Sequence, residues 1–309
     1  MTSPGPHLPP PQASGPALGP PLVSVVVVSW NTRDRLARCL RHVQCSASAE
    51  RLEIIAVDNN STDGSAELVG SEFEQVLLIR NGENRGYAAA CNQGLRRARG
   101  EFVCLLNSDC YVEAGTISGL SDFLAAHPAA AGAAPALLNA DGELENSVSE
   151  FPRPFLLWLG ATVPGSLRVY SAITRNRPSR RLPACRHEVE VDQPMTSCMV
   201  FRRSSLMEVG GFDESFPLFY NDVDLCLRLR QRGLQIWYVP RLAAIHDHGA
   251  STRQFSATLH ENHAARLLYF RRHLMSGRIG SALAFAMMQV VHWFRFHALR
   301  RRALEGWLP

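Results

Sequence analysis

The stretch LVSVVVVSWNTRDRLARCLRHVQC, Leu22 to Cys45, decides how this chain is read. From Leu22 to Ser29 it is a nearly unbroken run of valine. A strand with one wet face alternates apolar and polar residues, whereas a continuous β-branched run suits a strand buried on both faces of a parallel sheet. Trp30-Asn31-Thr32 then interrupts the run, and Asn31 or Thr32 is placed to cap a helix from about Arg33 to Cys45.

Working outward, the same alternation recurs. A strand over Leu52–Val57 ends in Asp58-Asn59-Asn60-Ser61-Thr62-Asp63-Gly64. Another, Gln75–Ile79, leads to Asn84-Arg85-Gly86-Tyr87 and a helix running to about Ala98. A third, Glu101–Leu106, ends in Asn107-Ser108-Asp109 and precedes a helix over about Ala114–Ala126. Strands alternating with helices predict a doubly wound α/β sheet. The polar clusters fall at the carboxyl ends of the strands, where open α/β sheets bind ligands, so the first half reads as nucleotide-binding.

The second half is less regular. Phe151 to Cys185 reads as a variable loop. A strand over Met195–Phe201, a short helix ending at Gly210-Gly211, a helix over Phe219–Arg232 and short strands Ile236–Val239 and Ala243–His246 follow. Two helices, about Thr258–Leu274 and Arg278–Arg301, close the chain. The expected organisation is a Pro/Gly/Ala-rich disordered tail over 1–21, a catalytic domain over 22–275 divided near 135, and an apolar and basic helix within 276–309.

Composition narrows the function. A formal charge of +4 over 309 residues is too small to argue for nucleic acid as a partner. The chain has no lysine, which excludes a P-loop lysine, a pyridoxal Schiff base and a lysine nucleophile. None of the 8 cysteines forms a C-x-x-C pair, so they read as small hydrophobes in a reducing, cytosolic compartment. The N-terminus has neither the basic start nor the apolar core of a secretory signal.

Four clusters carry candidate chemistry. Asp58 stands directly at a strand end, where a carboxylate can accept hydrogen bonds from a base or ribose; the turn after it also reads as a helix start. Asp109 ends a strand, where it is either an oxygen ligand for Mg²⁺ or Mn²⁺, held by one or two carboxylates plus substrate phosphates, or part of an ordinary Asn-Ser-Asp turn. Asp213, Asp222 and Asp224 surround the start of a helix, where acids either complement the dipole or serve as a general base. His246 and His248, two apart on a strand, share a face and are either metal ligands or ordinary polar residues.

The order of these stretches resembles the family 2 glycosyltransferases of GT-A fold, and within them the rhamnosyltransferase-like group. The matching segments are VSVVVVSWN (Val23–Asn31), VDNNSTDGS (Val57–Ser65), NRGYAAACNQGL (Asn84–Leu95), LLNSD (Leu105–Asp109), GGFDESF (Gly210–Phe216), NDVDLCLRLRQRG (Asn221–Gly233) and HDHGAS (His246–Ser251). The resemblance implies a nucleotide-diphosphate sugar donor held by Asn31, Asp58, Asn60, Asn84, Arg85, Gly86 and Asn107. It implies Asp222 as catalytic base, Asp213 and Asp224 between donor and acceptor, and Asp109 with His246 on a divalent metal. Asn107 replaces the first acid of the family's Asp-x-Asp, and Asn221 replaces the glutamate before the base. Nothing carries over to His248. The implied reaction is inverting transfer of a sugar, with rhamnose from dTDP-rhamnose favoured over a UDP-hexose, to a glycan or polyprenol-linked acceptor of cell-surface synthesis. A non-catalytic nucleotide-sugar binding module is the rival, which a missing base would favour.

The apolar run Ile279–Val291 is too short to span a bilayer, and is flanked by Arg271, Arg272 and Arg278 before it and Arg300, Arg301 and Arg302 after it. It either packs on protein or lies in the cytoplasmic leaflet with residues 278–302 against anionic headgroups. On the second reading the full chain pellets with anionic vesicles at low salt, and a chain ending near Ser276 does not. Equal partition of both would rule out a membrane role.

Overall fold

The computed structural model describes residues 23–46, 52–152, 185–247 and 255–274, with Ala286 and Val290. The expected tail, most of the 151–185 loop, His248 and nearly all of the 276–309 segment lie outside these residues. No helix among the described residues is long and apolar enough to cross a membrane.

β1 (Val23–Ser29) pairs in parallel with β2 (Leu52–Asp58) on one side and β4 (Phe102–Asn107) on the other, and β3 (Leu77–Arg80) adds in parallel beyond β2. The chain therefore winds outward from β1 to β3, then crosses back to β4, opening a crevice at the carboxyl ends of β1 and β4. Beyond β4 the sheet becomes mixed. β10 (Cys198–Arg202) is antiparallel to β4 and to β6 (Ala130–Leu138), β11 (Gln235–His246) is parallel to β6, and β5 (Cys110–Val112) and β8 (Val189–Val191) run antiparallel to β11. A separate ribbon joins β7 (Val148–Ser149) to β9 (Gln193–Pro194).

The valine run does what its composition dictates. Val23, Val25 and Val27 enter a core with Leu36 and Leu40 of α1 (Arg33–Cys45), Val69 of α2 (Ser65–Glu72) and Leu120 of α4 (Thr116–Ala126). Val26 and Val28 enter a second core with Leu95 of α3 (Tyr87–Arg97), Leu206 of α5 (Arg203–Glu208) and Leu229 of α6 (Asn221–Gln231). Alternate side chains of one strand thus fill both layers. α3 lies so close to β1 that a Cβ on Gly94 would sit 2.2 Å from Val26 Cγ1. The last described elements are α7 (Phe255–Tyr269) and a π-helical turn, Phe270–Leu274.

Several expectations shift. β3 begins at Leu77 instead of Gln75, and the strand expected over Met195–Phe201 begins at Cys198. The two short strands expected after α6 are one strand, β11, whose register slips between Val239 and Ala243 around Pro240. β6 was not expected. Alanine has little intrinsic preference for strands, yet small residues are what fits there, since a Cβ on Gly132 would meet Phe201 Cδ1 at 2.7 Å. Capping of α1 also differs. Thr32 is its N-cap but its side chain makes no cap bond, and the Arg33 N–H instead donates to Asp63 Oδ2 at 2.8 Å. The cysteines are free thiols, with Cys39, Cys91, Cys104, Cys110, Cys198 and Cys226 buried.

Candidate active site

The floor of the crevice is a chain of hydroxyls. Ser29 Oγ lies 2.9 Å from Thr32 Oγ1, which lies 2.8 Å from Ser108 Oγ, and all three residues are buried. This chain ties the end of β1 to the turn after β4, across the point where the winding reverses.

On one side stand the loops expected to hold the donor. Asn59 is buried and links them. Its Nδ2 donates to Asn84 Oδ1 at 2.9 Å and to the Gly86 carbonyl at 3.2 Å, and its Oδ1 accepts from Asn81 Nδ2 and the Arg85 N–H, both at 3.0 Å. Asn31, in the left-handed region at φ 54°, clamps the same loop: its N–H donates to Ser61 Oγ and its Oδ1 accepts the Thr62 N–H at 2.8 Å. Asn60, also at positive φ, is exposed, as are Asn84 and Arg85. Asp58 is buried, and its Oδ2 accepts the Ser61 N–H at 3.0 Å. Its Oδ1 is buried with no hydrogen-bond partner among the described residues, an acceptor whose capacity is unmet.

Gly86 brings this side against the loop that contains Pro217. It sits at φ 80°, and a Cβ there would lie 2.8 Å from Pro217 Cβ, so only glycine fits. The Ala88 N–H donates to the Pro217 carbonyl at 3.2 Å. Pro217 lies in the loop that leads into α6 and Asp222. Deeper in α3, Asn92 accepts the Phe212 N–H on its Oδ1 and donates from Nδ2 to the Phe212 carbonyl, both at 2.9 Å, fixing the Gly210–Phe216 turn.

Asp222 keeps partial solvent contact, yet burial raises its carboxyl above its usual value. Opposing that are the Val223 N–H, which donates to Oδ1 at 2.8 Å, and Gln193 Nε2, which donates to Oδ2 at 3.2 Å. An elevated, oriented carboxylate suits a general base. Asp224 is different. It is 1% exposed, with Oδ2 paired to Arg228 Nε and Oδ1 to His273 Nε2, each at 2.7 Å. Arg228 in turn donates to the Val209 and Gly211 carbonyls. Asp213 accepts from the Ser215 N–H and hydroxyl and pairs with Arg272. Burial pushes the Asp213 carboxyl up, but the Ser215 hydrogen bonds and the arginine charges outweigh it and hold it below its usual value. The geometry thus gives both residues structural partners, and Asp222 is the acid of the three suited to a base.

At the opposite end of the hydroxyl chain is Asp109, buried, with its Oδ1 3.6 Å from His246 Nε2. Burial disfavours a charged imidazole, but Asp109 and Glu145 outweigh it and raise His246 above its usual value. The Asp247 N–H donates to the Asp109 carbonyl at 2.9 Å, and Arg35 pairs with Asp247 at 3.3 Å. Asn107 makes no contact of this kind; its Nδ2 donates to Ser197 Oγ at 3.3 Å. Among the described residues no cluster of three or more His, Cys, Asp or Glu side chains is arranged to hold a metal. The Asp109–His246 pair still fits an ion of the magnesium class. The separation is too long for a hydrogen bond, and a carboxylate and an imidazole that face one another are a donor set such an ion would take, with substrate phosphates completing its shell.

Asn59, Gln193 and Asn92 were not singled out from the sequence. Asn59 sits inside a conspicuous polar turn, but nothing local shows that it, and not Asn60, points inward. Gln193 lies in a two-residue strand with no periodic signal.

Residues 24–210 match Glycosyl transferase family 2. The chain is 29% identical over 243 residues to the N-acetylglucosaminyl-diphospho-decaprenol L-rhamnosyltransferase of Mycobacterium tuberculosis, covering 75% of this chain and 78% of that one. In structure it is similar to the mannosyltransferase PcManGT from Pyrobaculum calidifontis in complex with GDP-Man and Mn²⁺, with a TM-score of 0.56 at 19% identity over 88% of this chain and 74% of that one. GalNAc-T7 with UDP, GalNAc and Mn²⁺ gives a TM-score of 0.56 at 16% identity over 86% of this chain and 53% of that one.

Replacing Asn59 by alanine leaves the Asn81 amide, the Arg85 N–H and Asn84 without their common partner. The variant Asn59→Ala is expected to lose about 1–3 kcal/mol of stability in chemical denaturation, and to bind nucleoside diphosphate more weakly. Unchanged denaturation and unchanged nucleotide binding would show that the loops hold their shape without it.

Proposed function

The chain belongs to glycosyl transferase family 2, and on that premise we propose that it transfers L-rhamnose from dTDP-rhamnose, with inversion, to a hydroxyl of a glycan or polyprenol-linked acceptor. Its fold is GT-A, its activity is glycosyl transfer and its donor is a nucleotide sugar. The choice of rhamnose and of a lipid-linked acceptor rests on the mycobacterial relative.

The observation that carries the mechanism is the contact of the donor loop with the loop that delivers the base. Gly86 lies against Pro217, ahead of Asp222 on α6, and this contact supports reading donor and base as one site. On this reading Asp58 accepts from the nucleoside through its open oxygen, and the backbone around Asn84, Arg85 and Gly86 shapes the pocket beside it. Asp222 takes the proton of the acceptor hydroxyl as that oxygen attacks the anomeric carbon from the face opposite the diphosphate. Gln193 holds one carboxylate oxygen of Asp222 and so fixes its direction. A Mg²⁺ or Mn²⁺ ion held by Asp109 and His246 would stabilise the charge that develops on the leaving diphosphate.

The variant Asp222→Asn keeps size and removes basicity. Its kcat is expected to fall roughly 10²- to 10⁴-fold with donor binding nearly unchanged. Turnover at the wild-type rate would sink the assignment of the base. A thermal-shift screen in which dTDP-rhamnose stabilises the protein no more than UDP-hexoses would remove the rhamnose reading and leave the transferase.

The pH dependence has a definite sign. A base acts only when deprotonated, so activity falls as pH drops through the Asp222 value, which burial raises above that of an ordinary aspartate. Gln193 donates to the charged form and holds that value down. In Gln193→Leu the acid limb of kcat/KM is therefore expected to move to higher pH. A limb that stays in place would show that Gln193 does not act on the base.

A further inference from the structure

His246 has a second carboxylate beside it. Its Nδ1 lies 3.3 Å from Oε2 of Glu145, whose side chain is 9% exposed. Local sequence explains how Glu145 arrives there. β6 ends at Leu138, and Asn139 turns the chain: its Oδ1 accepts the Asp141 N–H at 3.0 Å and the Glu143 N–H at 2.8 Å, while Gly142 supplies φ 80°. Leu144 bridges back to Leu138, and the Glu145 N–H donates to the Leu137 carbonyl at 2.7 Å. β11 runs parallel to β6 with Ile245 opposite Leu138, so the returning chain meets the next residue, His246.

An ionised carboxylate only accepts, so a hydrogen bond to Glu145 places a proton on Nδ1 of His246. A neutral imidazole in that tautomer presents its Nε2 lone pair toward Asp109. Histidines that ligate metals are held in this way by a carboxylate on the other ring nitrogen.

We propose that Glu145 is a positioning residue that fixes the tautomer and ring orientation of His246, so that Nε2 and Asp109 face one divalent ion. This rests on the metal reading of Asp109 and His246. On this reading Glu145 acts through the imidazole and is not itself a ligand of the ion.

The test is binding of Mn²⁺ to the full chain with saturating dTDP, read from the electron paramagnetic resonance signal of free Mn²⁺, beside dTDP binding measured without metal. Glu145→Leu is expected to weaken Mn²⁺ binding roughly 10- to 100-fold and to leave metal-free dTDP binding unchanged. Glu145→Gln, whose amide oxygen still accepts from Nδ1, is expected to bind Mn²⁺ nearly as the wild type does. Glu145→Asp keeps the charge but not the reach. It is expected to show the same loss as Glu145→Leu, and carries the test if the leucine variant does not fold. If the wild type binds Mn²⁺ and the leucine or aspartate variant binds it equally well, the positioning role is overturned and the metal reading stands. If the wild type itself binds no Mn²⁺, both are overturned.

Discussion

Burial of β1 on both faces is the constraint from which the rest of the molecule follows. Its valines fill two separate cores, so the middle of the strand offers no surface to a ligand. Polar side chains can appear only where the strand stops. The order β3-β2-β1-β4 then splits the connections to either side of β1, leaving a crevice at that end. Ser29, Thr32 and Ser108 line it because hydroxyls can satisfy one another in a place that is buried yet next to a polar pocket.

Buried polar groups then hold the two sides of the site in fixed relation. Asn59 joins the turn after β2 to the β3–α3 connection with one side chain. Asn92 does the same between α3 and the turn at Phe212, with its amide accepting and donating to one residue's backbone. Each would be costly to bury unpaired, and each is satisfied only in one arrangement of the loops.

Asp222 and Asp224 show how position on a helix separates two chemically identical residues. Two positions on an α-helix lie about 200° apart around its axis. Asp224 therefore turns into the protein, where Arg228 and His273 bond to it and tie α6 to the π-helical turn after α7. Asp222 turns to the other side, where only hydrogen bonds meet it and burial leaves it more basic. The same spacing in the sequence supports either residue as base, and the surroundings choose.

The sequence by itself determined the parallel half of the sheet, because a β-branched run buried on both faces and polar turns at strand ends are local patterns. It marked Asp58, Asp109, Asp222 and His246 by the same logic, since each stands at the end or start of an element. Tertiary structure alone decided which polar residues face inward. Asn59, Gln193 and Glu145 act through partners 22 to 101 residues away, and no local period encodes such a pairing. It also made a strand of the alanine-rich β6, which pairs with β10 and β11 on its two sides and at Gly132 leaves no room for a Cβ beside Phe201 and Ile236.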